Sequence, residues 1–272
     1  MRSSTDTAVA AVAPPSPYIR ISHVDKTYTS RRGPVQALQD IDVDVAKGEF
    51  VSILGPSGCG KSTLLKCIAG LESISGGRIE VAGAGVSEAP ENLGIVFQRD
   101  VLLDWRTVLD NVLVVAELRG LDPRQYRARA LALLKLFGLE QFAERFPWEL
   151  SGGMRQRASI CRALLVDPEL LLMDEPFGAL DAMTRDELNV ELRRMWMETH
   201  KTIIFITHSV TEAVYLSDRI VVMSRNPGRI AEIITVDLPQ HRPLSLRGEP
   251  DFSRYTTRIF GMFSSMGILK GD

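Results

Sequence analysis

The stretch Gly55-Pro56-Ser57-Gly58-Cys59-Gly60-Lys61-Ser62-Thr63 constrains this chain more than any other. It follows an apolar run at residues 50–54 and precedes a helical apolar pattern, Leu64, Leu65 and Ile68, that Gly70 closes. Glycine, four residues, glycine, lysine, then serine or threonine predicts a strand, a tight loop and a helix: the phosphate loop of a nucleotide-binding site. The glycines let backbone N–H groups approach a triphosphate without steric conflict. A helix beginning at Lys61 points its positive end at the same anion. Lys61 then reaches the β- and γ-phosphates, and the Ser62 hydroxyl is placed to ligate Mg²⁺. The alternative, a glycine-rich turn with a chance lysine, leaves the strand before it and the helix after it unexplained.

A chain of 272 residues holds one large domain, or one domain with a subdomain. A formal net charge of −2 argues against a non-specific grip on a nucleic-acid backbone, so nucleic acid is not an expected partner, although net charge leaves a local basic patch open. The three cysteines, Cys59, Cys67 and Cys161, form no CxxC pair, which points to reduced thiols in the cytosol rather than a metal site. Cys59 reads as a small residue suited to a tight turn in preference to a redox switch. Its thiol would still accept an alkylating agent, with nucleotide protecting it. No apolar run reaches the roughly 18 residues needed to span a bilayer. Residues 1–17, rich in Ala, Ser, Thr and Pro, read as a disordered tail and not as a secretory signal.

Hydrophobic periodicity divides the remainder. Residues 18–45 are mostly strand, with Ile41, Val43 and Val45 alternating with Asp42, Asp44 and Ala46 as in a half-solvated antiparallel strand. Short strands are expected at 78–81 and 94–97. From about 100 to 165 the pattern is helical: 107–119 with Thr107 as cap, a helix opened by Asp122-Pro123 and closed by Gly138, and one capped by Ser151. Strands return at 170–173, 203–207, 219–223 and 229–236, with helices at 182–199 and 210–216 between the first of them. Strands alternating with helices imply a parallel sheet with the nucleotide at the strand C-terminal ends. The fold class is therefore α/β, a phosphate-loop domain with an antiparallel β subdomain and an inserted helical subdomain. The phosphate-loop domain spans 18–240 and a C-terminal extension, extended chain and a last helix near 252–263, occupies 241–272.

Two further signals carry chemistry. Leu170-Leu-Leu-Met-Asp174-Glu175 is an apolar strand ending in two acids. Asp174 would emerge beside the phosphates to hold Mg²⁺, and Glu175 would orient or deprotonate water. Capping of the next helix is the bland alternative, which the phosphate loop disfavours. Leu150-Ser151-Gly152-Gly153-Met154-Arg155-Gln156 opens a helix with a serine and two glycines, a second phosphate-grade N-terminus, or an ordinary N-cap with flexible glycines.

In combination these motifs resemble the ATP-binding subunit of ABC transporters, over about residues 18–262. Residues 55–63 match that family's phosphate loop, 150–156 its signature sequence, and 170–175 its Mg²⁺ strand with catalytic glutamate. The resemblance implies that Gln98 senses Mg²⁺ and the γ-phosphate, that Ala179-Leu180-Asp181 is the D-loop, that His208 contacts the γ-phosphate, and that Tyr28 stacks on adenine. It implies ATP and Mg²⁺ as cofactors. It also implies a second nucleotide-binding subunit, expected to be another copy, whose Ser151, Gly152 and Gly153 close over the ATP held by this chain's phosphate loop. ATP hydrolysis would then reopen the dimer.

Gly33-Pro-Val-Gln-Ala-Leu38, Gly48-Glu-Phe50, residues 102–111 and Pro227-Gly-Arg-Ile230 resemble the importer branch serving nitrate, sulfonate, taurine and related solutes. That implies permease subunits, reached through a groove beside Leu102, Leu103 and Trp105, and a periplasmic or lipid-anchored solute-binding protein. It places the chain peripherally on the cytoplasmic face of the membrane. Many relatives carry Pro where this chain has Asp104, which leaves a pyrimidine or other small organic solute open. Among other classes, a DNA-acting ABC ATPase needs a long coiled coil before the signature, for which there is no room and no heptad pattern. A translation factor would carry two cassettes. An exporter half would often bring its own membrane spans.

Overall fold

The computed structural model describes residues 16–31, 33–178, 180–225 and 227–269. Residues 1–15 of the expected tail, and Ala179 of the expected D-loop, lie outside the described residues.

The chain begins with β1 (Ile19–Ser30), which pairs antiparallel with β2 (Gly33–Val45). Ile41, Val43 and Val45 turn inward while Asp42 and Asp44 face water, because successive strand side chains point to opposite faces. After β3 (Phe50–Leu54) and α1 (Lys61–Ile68), β4 (Gly76–Val81) and the short β5 (Ala84–Gly85) join β1 to complete a four-stranded antiparallel sheet in the order β2-β1-β4-β5. β4 starts two residues before the expected strand. Gly77, at φ +80°, lies so close to the His23 carbonyl that any Cβ would collide with it, and glycines in that position read as a turn in sequence.

β6 (Leu93–Val96) leads into the helical segment: α2 (Val108–Leu118), α3 (Pro123–Leu136) and α4 (Gly152–Leu164). Each starts where its cap is written. Thr107 accepts from the Asp110 N–H, Asp122 from Arg124, and Ser151 from Met154. Then come β7 (Leu170–Asp174), α5 (Ala182–Thr199), β8 (Thr202–Thr207), α6 (Val210–Leu216), β9 (Arg219–Met223), β10 (Ile230–Thr235) and α7 (Pro250–Ser265).

The second sheet has the order β10-β9-β3-β8-β7-β6. It is parallel throughout except for the β9–β10 pair. Its central strands are buried on both faces, which is why they read as unbroken apolar runs. Side-chain alternation splits them between two cores. Val51, Ile53, Leu172, Ile204 and Ile206 meet α1 and the antiparallel sheet. Phe50, Leu54, Leu171, Met173 and Phe205 meet the helices of the other side, where Trp196 packs edge-on to Phe50. Phe252, Tyr255, Ile259 and Phe263 of α7 enter that same second core, so the C-terminal helix is anchored by burial and not appended to the surface.

Candidate nucleotide site

β3, β7 and β8 run side by side in parallel and end at the same edge of the sheet. Their C-terminal ends therefore bring together three segments far apart in sequence: the loop after Leu54, the acids after Met173 and the histidine after Thr207.

Helix α1 is prepared for an anion. Its N-cap, Gly60, sits at φ +95° and offers no side-chain hydrogen bond, whereas α2 to α6 all begin on a capping side chain. The first-turn N–H groups of a helix so begun have no side-chain acceptor and favour a bound anion. They face a cavity of about 390 Å³ lined by Ser57, Gly58, Gly60, Lys61, Ser62, Thr63, Gln98 and Glu175, with Val35, Gln36 and Ala37 of β2 along one side. A Cβ on Gly60 would lie 2.7 Å from Leu38 Cδ2 and 2.8 Å from the Ala37 carbonyl oxygen, so only glycine fits there. Gly55 is confined in the same way, by Cys59 Sγ and the Met223 carbonyl. Pro56 contributes its carbonyl to the lysine contacts below.

Lys61 is 4 % exposed. Its Nζ donates to the carbonyls of Gly55, at 2.9 Å, and Pro56, at 3.1 Å, and lies 3.6 Å from Glu175 Oε1. Ser62 Oγ donates to Asp174 Oδ1 at 2.9 Å. Burial pushes the Asp174 carboxyl above its usual range and the neighbouring Glu175 charge adds to that, while the Ser62 hydroxyl pulls it down. A hydroxyl and a carboxylate side by side are hard oxygen donors of the kind Mg²⁺ takes, so this pair fits the cation.

Glu175 is the hub. Its Oε2 accepts from Gln98 Nε2 at 3.4 Å and lies 3.3 Å from His208 Nδ1. Its backbone is in the left-handed region, φ +44°, a conformation that costs energy for a residue with a Cβ and concentrates at functional sites. Backbone bonds hold it there: Glu175 N–H donates to the Ile206 carbonyl, and Gly178 N–H donates to the Glu175 carbonyl.

Ser151, Gly152, Gly153 and Asp181 do not line this cavity. Ser151 and Asp181 are the N-caps of α4 and α5 in their own chain. A Cβ on Gly153 would stand 3.1 Å from Thr184 Cγ2, so the two helix starts lie against one another. Tyr28 does not line the cavity either. It pairs in register with Val35 on the neighbouring strand, and its ring lies under the Lys26 ammonium, 4.6 Å away. The strand alternation that places Val35 at the cavity wall was not readable from the aromatic alone. A second residue missed in sequence is Gly228. It bridges to Leu38, and a Cβ there would fall 2.0 Å from the Cys59 carbonyl, so the segment after β9 closes the underside of the loop. Cys59 itself is fully buried, and burial raises its thiol pKa, which opposes the alkylation expected from sequence.

Residues 38–178 match the ABC transporter family. This chain belongs to the ABC transporter family. It is 42 % identical to the taurine import ATP-binding protein TauB of Rhizobium johnstonii over 258 residues, covering 93 % of this chain and 98 % of that protein. It is 40 % identical to the aliphatic sulfonates import ATP-binding protein SsuB of Bacillus cereus, with the same coverage, and 43 % identical to an uncharacterized ABC transporter ATP-binding protein of Methanocaldococcus jannaschii over 90 % of each chain. Among solved structures, a chain from the dimeric structure of a bacterial ABC transporter cassette superposes with a TM-score of 0.74 at 32 % identity, over 81 % of this chain and all of that one. A chain from the dimeric post-hydrolysis structure of an ATP-binding cassette bound to ADP and Pi gives 0.73 at 31 % identity, with the same coverage. The fold is that of an ABC ATPase.

Proposed function

We propose that this chain is the ATP-hydrolysing subunit of a membrane importer for a small sulfonate-class solute such as taurine. The observation that carries the enzymatic part is the convergence on Glu175: Lys61, Gln98 and His208 surround one strained carboxylate beside the Ser62–Asp174 pair. The names of the relatives above support the solute class.

In this reading ATP lies with its phosphates over the α1 N-terminus. Gly58, Gly60 and the following N–H groups wrap the β-phosphate, and Lys61 exchanges its loop carbonyls for phosphate oxygens. Ser62, Asp174 and Gln98 would hold Mg²⁺, which neutralises charge on the β- and γ-phosphate oxygens. Glu175 accepts a proton from the attacking water, and His208 steadies both Glu175 and the γ-phosphate. The base lies against the wall at Val35 to Ala37, with Tyr28, which pairs with Val35 on the neighbouring strand, stacking on it from outside that wall. Ser151, Gly152, Gly153 and Asp181, absent from this chain's own cavity, serve the ATP of a second copy packed head to tail, an isologous arrangement.

The apolar groove bounded by Phe97, Val101, Leu103, Val115 and Leu118, about 330 Å³, is the proposed seat of a permease helix. Leu118, in its wall, is 81 % exposed, and Trp105, two residues after Leu103 in the chain, is 73 % exposed. Among the described residues no helix is long and apolar enough to cross a membrane. In this reading the chain acts peripherally, on the cytoplasmic face, with the solute-binding protein reached through the permease.

The test is Glu175→Gln. The variant should bind ATP with affinity close to that of the parent and form an ATP-dependent dimer, while turnover falls by about 10²-fold or more. Hydrolysis within a few-fold of the parent would remove Glu175 as the base.

A further inference from the structure

Glu175 is flanked by two segments, the end of β8 that carries His208 and the turn that leads to Asp181. The turn is wound tightly back on Glu175: Gly178 N–H bonds to the Glu175 carbonyl and Leu180 N–H to the Phe177 carbonyl. A separate chain of polar contacts joins the far end of that turn to the histidine. Leu180 O accepts from Arg185 Nη2 at 2.9 Å. Arg185 Nε lies 3.5 Å from Glu212 Oε1, an ion pair. The other oxygen of Glu212, Oε2, accepts from Thr207 Oγ1 at 2.5 Å. Thr207 immediately precedes His208, and its Oγ1 also accepts the N–H of Ser209, which immediately follows.

Glu212 stands on the first turn of α6 with a side chain only 7 % exposed. Taking a carboxylate out of water is costly, and a buried ion pair seldom stabilises a fold better than apolar packing would. What such a pair does supply is fixed geometry. Here one end of that geometry is the Leu180 carbonyl and the other is the Thr207 hydroxyl, on the two segments that flank Glu175.

We propose that the Arg185–Glu212 pair is a positioning device that sets His208 against Glu175 according to where the Leu180–Asp181 turn lies. The inference rests on the reading above, in which Asp181 faces a second subunit. Docking of that subunit displaces the turn, Arg185 follows the Leu180 carbonyl, and Glu212 carries the movement to Thr207 and so to the histidine. Neither Arg185 nor Glu212 needs to touch nucleotide.

The experiment measures steady-state hydrolysis against ATP concentration, and ATP binding by equilibrium titration. Full-length Arg185→Met, Glu212→Gln, the double variant and Arg185→Lys are compared. The expected result is a kcat lower by about tenfold to a hundredfold for each of the first two, with KM and ATP affinity within about twofold. The double variant should be no worse than the singles, because both cut one chain of contacts. Arg185→Lys, which keeps the cation but loses the second N–H that reaches Leu180, should recover only part of the rate. Folded variants with kcat within about threefold of the parent, losses that multiply in the double, or losses carried by KM would each overturn the proposal. If Glu212→Gln does not fold, the Arg185 variants decide, since Arg185 is partly exposed and its replacement leaves Glu212 bonded to Thr207. Failure of the broader reading is distinguishable. In that case Glu175→Gln would hydrolyse ATP, whereas failure of this inference leaves Glu175→Gln inactive beside an active Arg185→Met.

Discussion

Lys61 donates to two carbonyls of its own loop and stands within ion-pair distance of Glu175. That makes it both a structural pin and, in the proposed function, the cation that moves onto phosphate. Lys61→Ala removes a buried positive charge beside an acid, so ATP binding should weaken by at least about tenfold, read by nucleotide titration. Affinity retained in a folded variant would refute the loop assignment. The legibility of the site at this scale was uneven. Lys61, Ser62 and Asp174 were readable because each motif fixes a side chain relative to a strand end. Val35 and Gly228 were not. Which wall of the cavity Tyr28's neighbour forms depends on pairing register, and Gly228 matters only because another segment's carbonyl lies against it.

Among elements, the helices were the most legible, because Thr107, Asp122, Ser151, Asp181 and Ser209 each write a start in local chemistry. β4 was less so, since its two leading glycines look like a turn until they are seen against β1. The junction between the helical segment and the parallel sheet is held by Asp167, whose Oδ1 accepts from Lys201 and Arg129 at 2.8 Å each. The Lys201 hydrogen bond, with help from Arg129, keeps that carboxyl below its usual range. A lowered carboxylate pKa gives stability that is complete above the unfolded value and lost as pH falls through the folded one. Asp167 sits at φ +56°, which asparagine tolerates equally well, so Asp167→Asn isolates the charge. The variant should melt below the parent at neutral pH, with the gap closing as the solution is acidified below the ordinary carboxylate value of about 4. A gap constant across that range would show that the charge contributes nothing.

For the whole molecule, the proposed head-to-tail dimer makes a claim that no single chain can satisfy. Lys61→Ala spoils the loop half of each site, and Gly153→Asp spoils the half offered to the neighbour. Each should be nearly inactive alone. A mixed dimer contains one composite site with an intact Lys61 from one chain and an intact Gly153 from the other. Equal mixing should therefore restore up to about a quarter of parental hydrolysis, measured after reassembly with ATP. No recovery, with the Gly153→Asp chain still binding ATP, would count against a shared site.

By itself the sequence determined the phosphate loop, the acid-tipped strand, the capped helices and the family, because each rests on residues adjacent in the chain or at fixed helical or strand spacing. Only the tertiary structure decided that Glu175 is held in a strained backbone between Lys61, Gln98 and His208. It also placed Ser151 and Asp181 away from their own chain's cavity, and it joined Leu180 to Thr207 through two side chains on different helices. Those contacts depend on strand order and register in a parallel sheet, where neighbours in space are separated by whole crossovers in sequence. Local patterning carries no record of which strand ends will meet.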